Sequence, residues 1–204
     1  MKKHKLLNPR GYLSHTQVDM WLKSPVRYAR RYFDNQDDFE NDAMRLGKIT
    51  SNALEHGDAQ DDEVLQAIIS LLPAYKVREH EIKAPLDTPY GEVILLGKLD
   101  TWEPGRFREY KTGVVPWTQN KANKHGQMWH YGTLIYLTEK ILPEAHLDWI
   151  QTERDENGEL RFTGQITPFE VNITLQGVVE YMALVSRVAK EIDTEYRKRL
   201  KALA

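Results

Sequence analysis

The sequence predicts an α/β fold, a mixed central sheet flanked by helices behind a helical N-terminal portion. Three observations carry this. Three β-like runs crowd into 77–112 and a further two lie at 146–166. Helical patterns precede, separate and follow them. The end of the chain carries one long apolar stripe. The order is helices, three strands, helix, two strands, helix, read as a two-layer core.

Each element has a local reason. Ser14-His15-Thr16-Gln17 has the form of a capping box, with Ser14 as N-cap and Gln17 reaching back. A helix follows, with Val18, Trp21 and Leu22 on its inner face. Pro25 starts a second piece through Tyr32. Helices are expected at 43–56 and at 61–72, the latter stopped by Pro73. The strands fall at 77–84, 92–102 and 106–112, with Pro104-Gly105 as a tight turn. A helix spans 119–141 and ends before Pro143. Strands at 146–153 and 159–166 meet across Asp155-Glu156-Asn157-Gly158, a hairpin signal. Leu175, Val178, Met182, Val185, Ala189, Ile192 and Tyr196 alternate three and four apart, a stripe for packing on the body or, secondarily, a dimer seam. No repeat or linker divides the 204 residues. They read as one domain: helical N-terminal residues 1–75, the sheet with its helix over 76–170, and a C-terminal helix over 171–204.

Composition narrows the function. No apolar run is long enough to span a bilayer, and MKKHKLLNPRGYL does not read as a secretion signal. The absence of cysteine excludes disulfides, iron–sulfur clusters and thiolate zinc sites. A cytoplasmic location is expected. The net charge of −2 argues against a generally basic binder. Even so, Lys2, Lys3, Lys5, Arg10, Lys23, Arg27, Arg30 and Arg31 face only Asp19 in the first 31 residues, before the acidic run Asp34, Asp37, Asp38, Glu40 and Asp42. Such a block suits either phosphates or a solvated helix face. No Walker loop, Gly-x-Gly-x-x-Gly or Gly-x-Ser-x-Gly is present.

The stretch from Gly97 to Gly113 holds the candidate chemistry. With Pro104-Gly105 as the whole loop, Glu103 pairs with Arg106 and Trp102 with Phe107. Asp100 then falls opposite Glu109, about 5 Å away. Lys111 shares the face of Glu109, while Tyr110, and to some extent Phe107, point to the other. Two carboxylates so close repel unless a divalent cation with oxygen ligands, Mg²⁺ or Mn²⁺, neutralises them. Such a cation activates water and stabilises phosphoryl charge, and Lys111 orients the attacking water or offsets that charge. The same residues also suit an exposed hairpin in which Lys111 neutralises a neighbour.

This pattern, an Asp, a turn, then Glu-x-Lys, resembles the core of the PD-(D/E)XK nucleases, most closely the RecB-like exonuclease branch. Gln127-Met128-Trp129-His130-Tyr131 resembles that branch's Gln-x-x-x-Tyr motif. Leu13-Ser14 through Tyr28 is similar to its N-terminal helix, and Gly47 through Glu55 to its Gly-x-x-x-His-x-x-Leu-Glu helix. The resemblance covers most of the chain and rests on order and spacing rather than on any one motif. It implies a restriction-endonuclease-like fold. It also implies one or two Mg²⁺ or Mn²⁺ ions on Asp100, Glu109 and the Tyr110 carbonyl, with Lys111 catalytic. Gln127 and Tyr131, four apart on one helix face, would border the site.

One departure stands out. The family histidine falls on Ser51, a poorer ligand. Glu55, one turn on, is the first candidate to replace it, and Glu79 and Glu81 are further ones. His56 points about 100° away from Glu55. Ser51, Arg27, Arg30, Arg31, Trp117, Lys121 and Lys124 are candidate DNA contacts, the last three by stacking and phosphate pairing, with a hydrophobic staple and solvated lysines as the plainer reading. The resemblance implies an exonuclease at free DNA ends in recombination, repair or phage DNA processing. A recombination or helicase partner would be a separate protein. The alternatives are a catalytically impaired module that binds DNA or a partner, and an endonuclease.

Overall fold

The computed structural model describes residues 4–37, 39–59 and 61–203. Lys2, Lys3 and Asp38 of the charge blocks lie outside them. The chain runs α1 (His15–Lys23), α2 (Pro25–Tyr28), a π-helical turn (Ala29–Phe33), α3 (Asp42–His56), α4 (Glu63–Leu71), β1 (Val77–Thr88), β2 (Gly91–Glu103), β3 (Arg106–Gly113), α5 (Gln119–Asn123), α6 (Gly126–Glu139), β4 (Glu144–Arg154), β5 (Leu160–Asn172) and α7 (Leu175–Leu203). The strands form one sheet in the order β1-β2-β3-β4-β5. Only β3 and β4 are parallel, joined through α5 and α6. The other neighbours are antiparallel, so the sheet is mixed, as the sequence predicts.

Helices cover both faces, which makes three layers rather than two. Ala145, Leu147 and Trp149 of β4 enter a core shared with α1, α6 and α7. Ile150 turns the other way, with Tyr110 and Phe162, toward Ala53, Leu54, Leu65 and Ile68 of α3 and α4. The period-2 alternation of a strand sends its residues to two cores.

The caps explain the helix starts. Ser14 Oγ accepts from the Gln17 N–H at 3.4 Å. The reciprocal half of the expected capping box is absent. Gln17 is buried, donates to the Tyr12 carbonyl at 3.1 Å and accepts from the Tyr28 hydroxyl. Leu22 is exposed, and Met20 takes its inner place beside Val18 and Trp21. Asn41 caps α3 through the Met44 N–H at 2.9 Å, a contact contributing about 1 kcal/mol. The helix expected over 119–141 is two helices. Thr118 caps α5, and the chain turns at Lys124-His125 before α6. Gly126 opens α6 because a Cβ there would stand 2.8 Å from the His15 ring. Gly158, at φ +81°, closes the expected β4–β5 hairpin. The stripe of α7 packs on the body through Val178, Val185, Ala189 and Ile192.

One irregularity positions the site. The β2–β3 ladder has the expected register at Glu103–Arg106 and Trp102–Phe107, but it ends at Thr101–Arg108. Beyond that point β3 keeps only β4 as a partner, while residues 5–13 take up the free edge of β2 through the Leu6 and Leu13 N–H groups. Leu99 and Trp102, three apart, both pack on the main core, so the alternation of β2 slips by one between them. Asp100 sits at this slip, where the strands part.

Candidate active site

The gap between β2 and β3 is a cleft of about 240 Å³ lined by Gly47, Thr50, Ser51 and Leu54 of α3, Asp100 of β2, and Glu109, Tyr110, Lys111 and Thr112 of β3. Asp100 and Glu109 therefore meet, though by another route than a shared ladder rung. Instead of facing Glu109 across a backbone pair, Asp100 sends Oδ2 across the gap to accept the Tyr110 N–H at 2.8 Å. Phe107 also differs from expectation. It shares the alternation of Glu109 and lies edge-on to Tyr131 at 5.8 Å, beneath α6. Of the two aromatic residues, Tyr110 alone turns to the α3 side.

A hydrogen-bonded clamp orients the β3 side chains. Lys111 Nζ donates to Glu109 Oε1 at 2.6 Å and to Gln127 Oε1 at 2.7 Å. The Gln127 amide donates to Glu109 Oε1 at 2.6 Å and to the Tyr131 hydroxyl at 2.7 Å. Tyr131 in turn donates to the Lys98 carbonyl of β2 at 2.5 Å. The one-turn spacing of Gln127 and Tyr131 thus ties α6 to both strands that form the cleft.

The electrostatics are those of crowded acids. Burial, then the Glu109 charge, push the Asp100 carboxyl well above the usual carboxylate range; Lys111 and the Tyr110 N–H pull against this without prevailing. Burial alone would lower the Lys111 ammonium, but Glu109 and Asp100 beside it hold it above its ordinary value. Lys111 is therefore a fixed cation. Burial raises the Tyr131 hydroxyl, which stays a protonated donor.

The residues fit a hard divalent cation. Glu109 is 2% exposed, and its Oε2 is buried without a hydrogen-bond donor. A buried carboxylate oxygen so left requires a partner the protein does not supply. Asp100 needs the same neutralisation. The donor set is all oxygen, which suits Mg²⁺ or Mn²⁺. Among the described residues no three His, Asp or Glu side chains converge closely enough to hold an ion by themselves. Asp100, Glu109 and the Tyr110 carbonyl would hold it, with water filling the remainder.

The other predicted site residues are dispersed. Ser51 lines the cleft, but its hydroxyl donates to Glu79 Oε1 at 2.7 Å. Glu55 is exposed one turn further along α3 and does not line the cleft. Glu81 pairs with Lys83 at the surface. Lys121 Nζ lies 4.2 Å over the Trp117 ring, which meets His125 edge-on at 5.1 Å. Lys121 and Lys124 line a second groove of about 550 Å³ with Lys23, His15 and His125. Arg27 and Arg30 are exposed on α2 and the π-helical turn, and Arg31 stacks over Tyr32; none of the three lines the cleft.

One feature escapes sequence reasoning, and another is legible only as one of several candidates. The first is the cluster of His15, His125 and His130, with ring centroids 5.7 and 6.4 Å apart, brought together by α1 crossing the start of α6. The other is Glu79, whose φ of +54° interrupts the β1–β2 ladder between Arg78–Thr101 and His80–Leu99, opposite Asp100. The signal for Glu79 was present in the sequence. A β1–β2 turn at Thr88–Gly91 sets a register that faces Glu79 to Asp100.

No protein-family model matches the sequence, and no curated protein sequence matches it. Solved structures do resemble the fold. A protein from Eubacterium rectale provisionally named an exonuclease aligns over 90% of this chain and 83% of its own, with a TM-score of 0.58 and 11% identity. A phage-related exonuclease from Haemophilus somnus aligns over 87% of this chain and 83% of its own, with a TM-score of 0.50 and 13% identity. At these identities the likeness shows a shared fold: a mixed five-stranded sheet between helices.

Proposed function

We propose that the protein is a Mg²⁺- or Mn²⁺-dependent nuclease that hydrolyses phosphodiester bonds of DNA, acting as an exonuclease at free ends. One observation carries this: Asp100, Glu109 and Lys111 gather where β2 and β3 part, with a Glu109 oxygen buried and lacking a donor. A bound cation supplies Lewis acidity toward a phosphoryl oxygen and lowers the pKa of a coordinated water. The protein's own groups do the rest. Lys111, kept cationic by its carboxylate neighbours, offsets charge developing on the phosphate. Gln127 fixes the Lys111 ammonium and the Glu109 carboxylate in one geometry, so that neither reorganises during reaction. Lys121, Lys124 and Trp117 hold the DNA beside the site.

The neighbours named exonucleases share this fold, which supports the exonuclease assignment; work in recombination, repair or phage DNA processing, with a separate recombination or helicase partner, follows the same reading. Among the described residues no helix is long and apolar enough to cross a membrane. A second reading, a DNA-binding module that does not cut, is favoured by Ser51 in place of a histidine ligand. End-labelled single- and double-stranded DNA and closed circular DNA, incubated with Mn²⁺ or Mg²⁺, separate these readings. The nuclease shortens labelled ends, and Lys111→Ala loses cleavage by about 10²–10³-fold while keeping DNA binding. Binding without cleavage under either metal overturns the proposal, and cutting of closed circles makes the enzyme an endonuclease.

A further inference from the structure

The side of the cleft under α3 has lost the imidazole that the nuclease resemblance implies, and Glu55 does not replace it. Glu79, which does not itself line the cleft, stands behind that wall and reaches it through Ser51. Its left-handed backbone is costly for a residue with a side chain, and such strain persists where surrounding contacts enforce it. Those contacts are specific. Ser51 donates to Glu79 Oε1 at 2.7 Å, and Lys98 pairs with Oε2. The side chain is only 10% exposed, and its charge acts on both Asp100 and Tyr131. Lys98 also closes a circuit, because its carbonyl accepts the Tyr131 hydroxyl that anchors Gln127. Independently, the unpartnered Glu109 Oε2 in the same cleft points to a cation there.

We propose that Glu79, oriented by Ser51 and paired with Lys98, completes the cation site on the α3 side. This rests on the metal-dependent reading above. Direct ligation is not the route, since three acidic side chains do not converge among the described residues. Glu79 acts through the ion's hydration shell, some of which Mg²⁺ and Mn²⁺ sites commonly retain. Ser51 thus keeps the site function of the helix at one remove: it aims a carboxylate in place of offering a ring nitrogen. Groups that orient a metal site from outside its ligands typically change affinity about 10–100-fold.

Calorimetric titration of the full-length protein with MnCl₂ reads this without relying on activity. Glu79→Gln is expected to weaken Mn²⁺ binding about 10-fold or more. Ser51→Ala, which removes only the orienting donor from an accessible helix, is expected to weaken it about 3- to 10-fold. Glu55→Gln should leave it unchanged. Melting curves establish that each variant is folded, and Ser51→Ala carries the test if Glu79→Gln does not fold. Unchanged affinity in both Glu79→Gln and Ser51→Ala, while Asp100→Asn abolishes binding, overturns the role of Glu79 alone. No Mn²⁺ binding by the unaltered protein, or none lost in Asp100→Asn, overturns the metal reading beneath it.

Discussion

The amide of Gln127 reaches Glu109 Oε1 at 2.6 Å, joining the first turn of α6 to the middle of β3. The same side chain accepts from Lys111, so one neutral residue binds both members of the Glu109–Lys111 ion pair and fixes its orientation. The cleft is thereby organised from the helix layer, and its geometry depends on how closely α6 lies over the sheet.

Replacing Gln127 with leucine keeps the volume but removes its three bonds, to Lys111, Glu109 and Tyr131. Glu109 and Lys111 remain paired and free to turn together. Cleavage should fall about 10–100-fold, with the loss in kcat and DNA affinity little changed. Steady-state kinetics with labelled DNA checks this; an unaltered kcat speaks against the clamp.

The approach of α6 depends on Gly97. A Cβ there would lie 2.6 Å from Leu134 and 2.9 Å from Tyr131. Gly97→Ala should therefore push α6 outward, cost about 1–3 kcal/mol and lower the melting temperature by several degrees. Because Tyr131 and Gln127 move with the helix, activity should drop even at temperatures where the variant is folded.

Acid should destabilise the protein through its histidine cluster. Burial, then the neighbouring His130 and His125, lower His15 to about 3, and burial lowers His125 and His130 to about 4. An unfolded histidine titrates near 6.5. The unfolded chain thus takes up protons first. The stability these groups contribute is complete above about pH 6.5 and is lost as pH falls toward 4 and then 3. For His130, with no exposed surface, the full effect is on the order of 3 kcal/mol. Asp100, shifted the other way, opposes this trend. Urea midpoints at pH 7.5 and 4.5 should differ in the unaltered protein and differ less in His15→Asn. Equal differences in both contradict the assignment.

Lys121 and Lys124 should touch DNA phosphates rather than bases. The double change to alanine is expected to weaken binding similarly for all sequences and to flatten the log–log salt dependence by about 1–2. Anisotropy titrations across a salt series measure both. An unchanged slope removes the groove beside Trp117 from the DNA path.

The legibility of this chain has a physical pattern. Local chemistry was readable: Ser14 as a cap, Asn157-Gly158 as a turn, and the register of Glu103 with Arg106 all follow from residue type and short spacing. The shared helix face of Gln127 and Tyr131 was readable from their spacing; their bonds to Glu109, Lys111 and Lys98 were not. Nor were features set by long-range packing. The slip of β2 at Asp100 arises where β3 departs and residues 5–13 take its place. The turn between α5 and α6 accommodates α1 across Gly126. Glu79 is legible as a candidate on the strand before the site, but its left-handed backbone, which its residue type disfavours, is not. Hydrophobicity points Leu22 inward, yet it lies on the wall of the groove with Lys23 and Lys124.

The most direct test of a cation shared by the two carboxylates is a crystal of the protein soaked in Mn²⁺, read by anomalous scattering. The expected result is a peak in the cleft within about 2.0–2.3 Å of carboxylate oxygens of both Asp100 and Glu109, with the Tyr110 carbonyl beside it. A cleft without a peak at saturating Mn²⁺, or an ion held elsewhere on the chain, contradicts it.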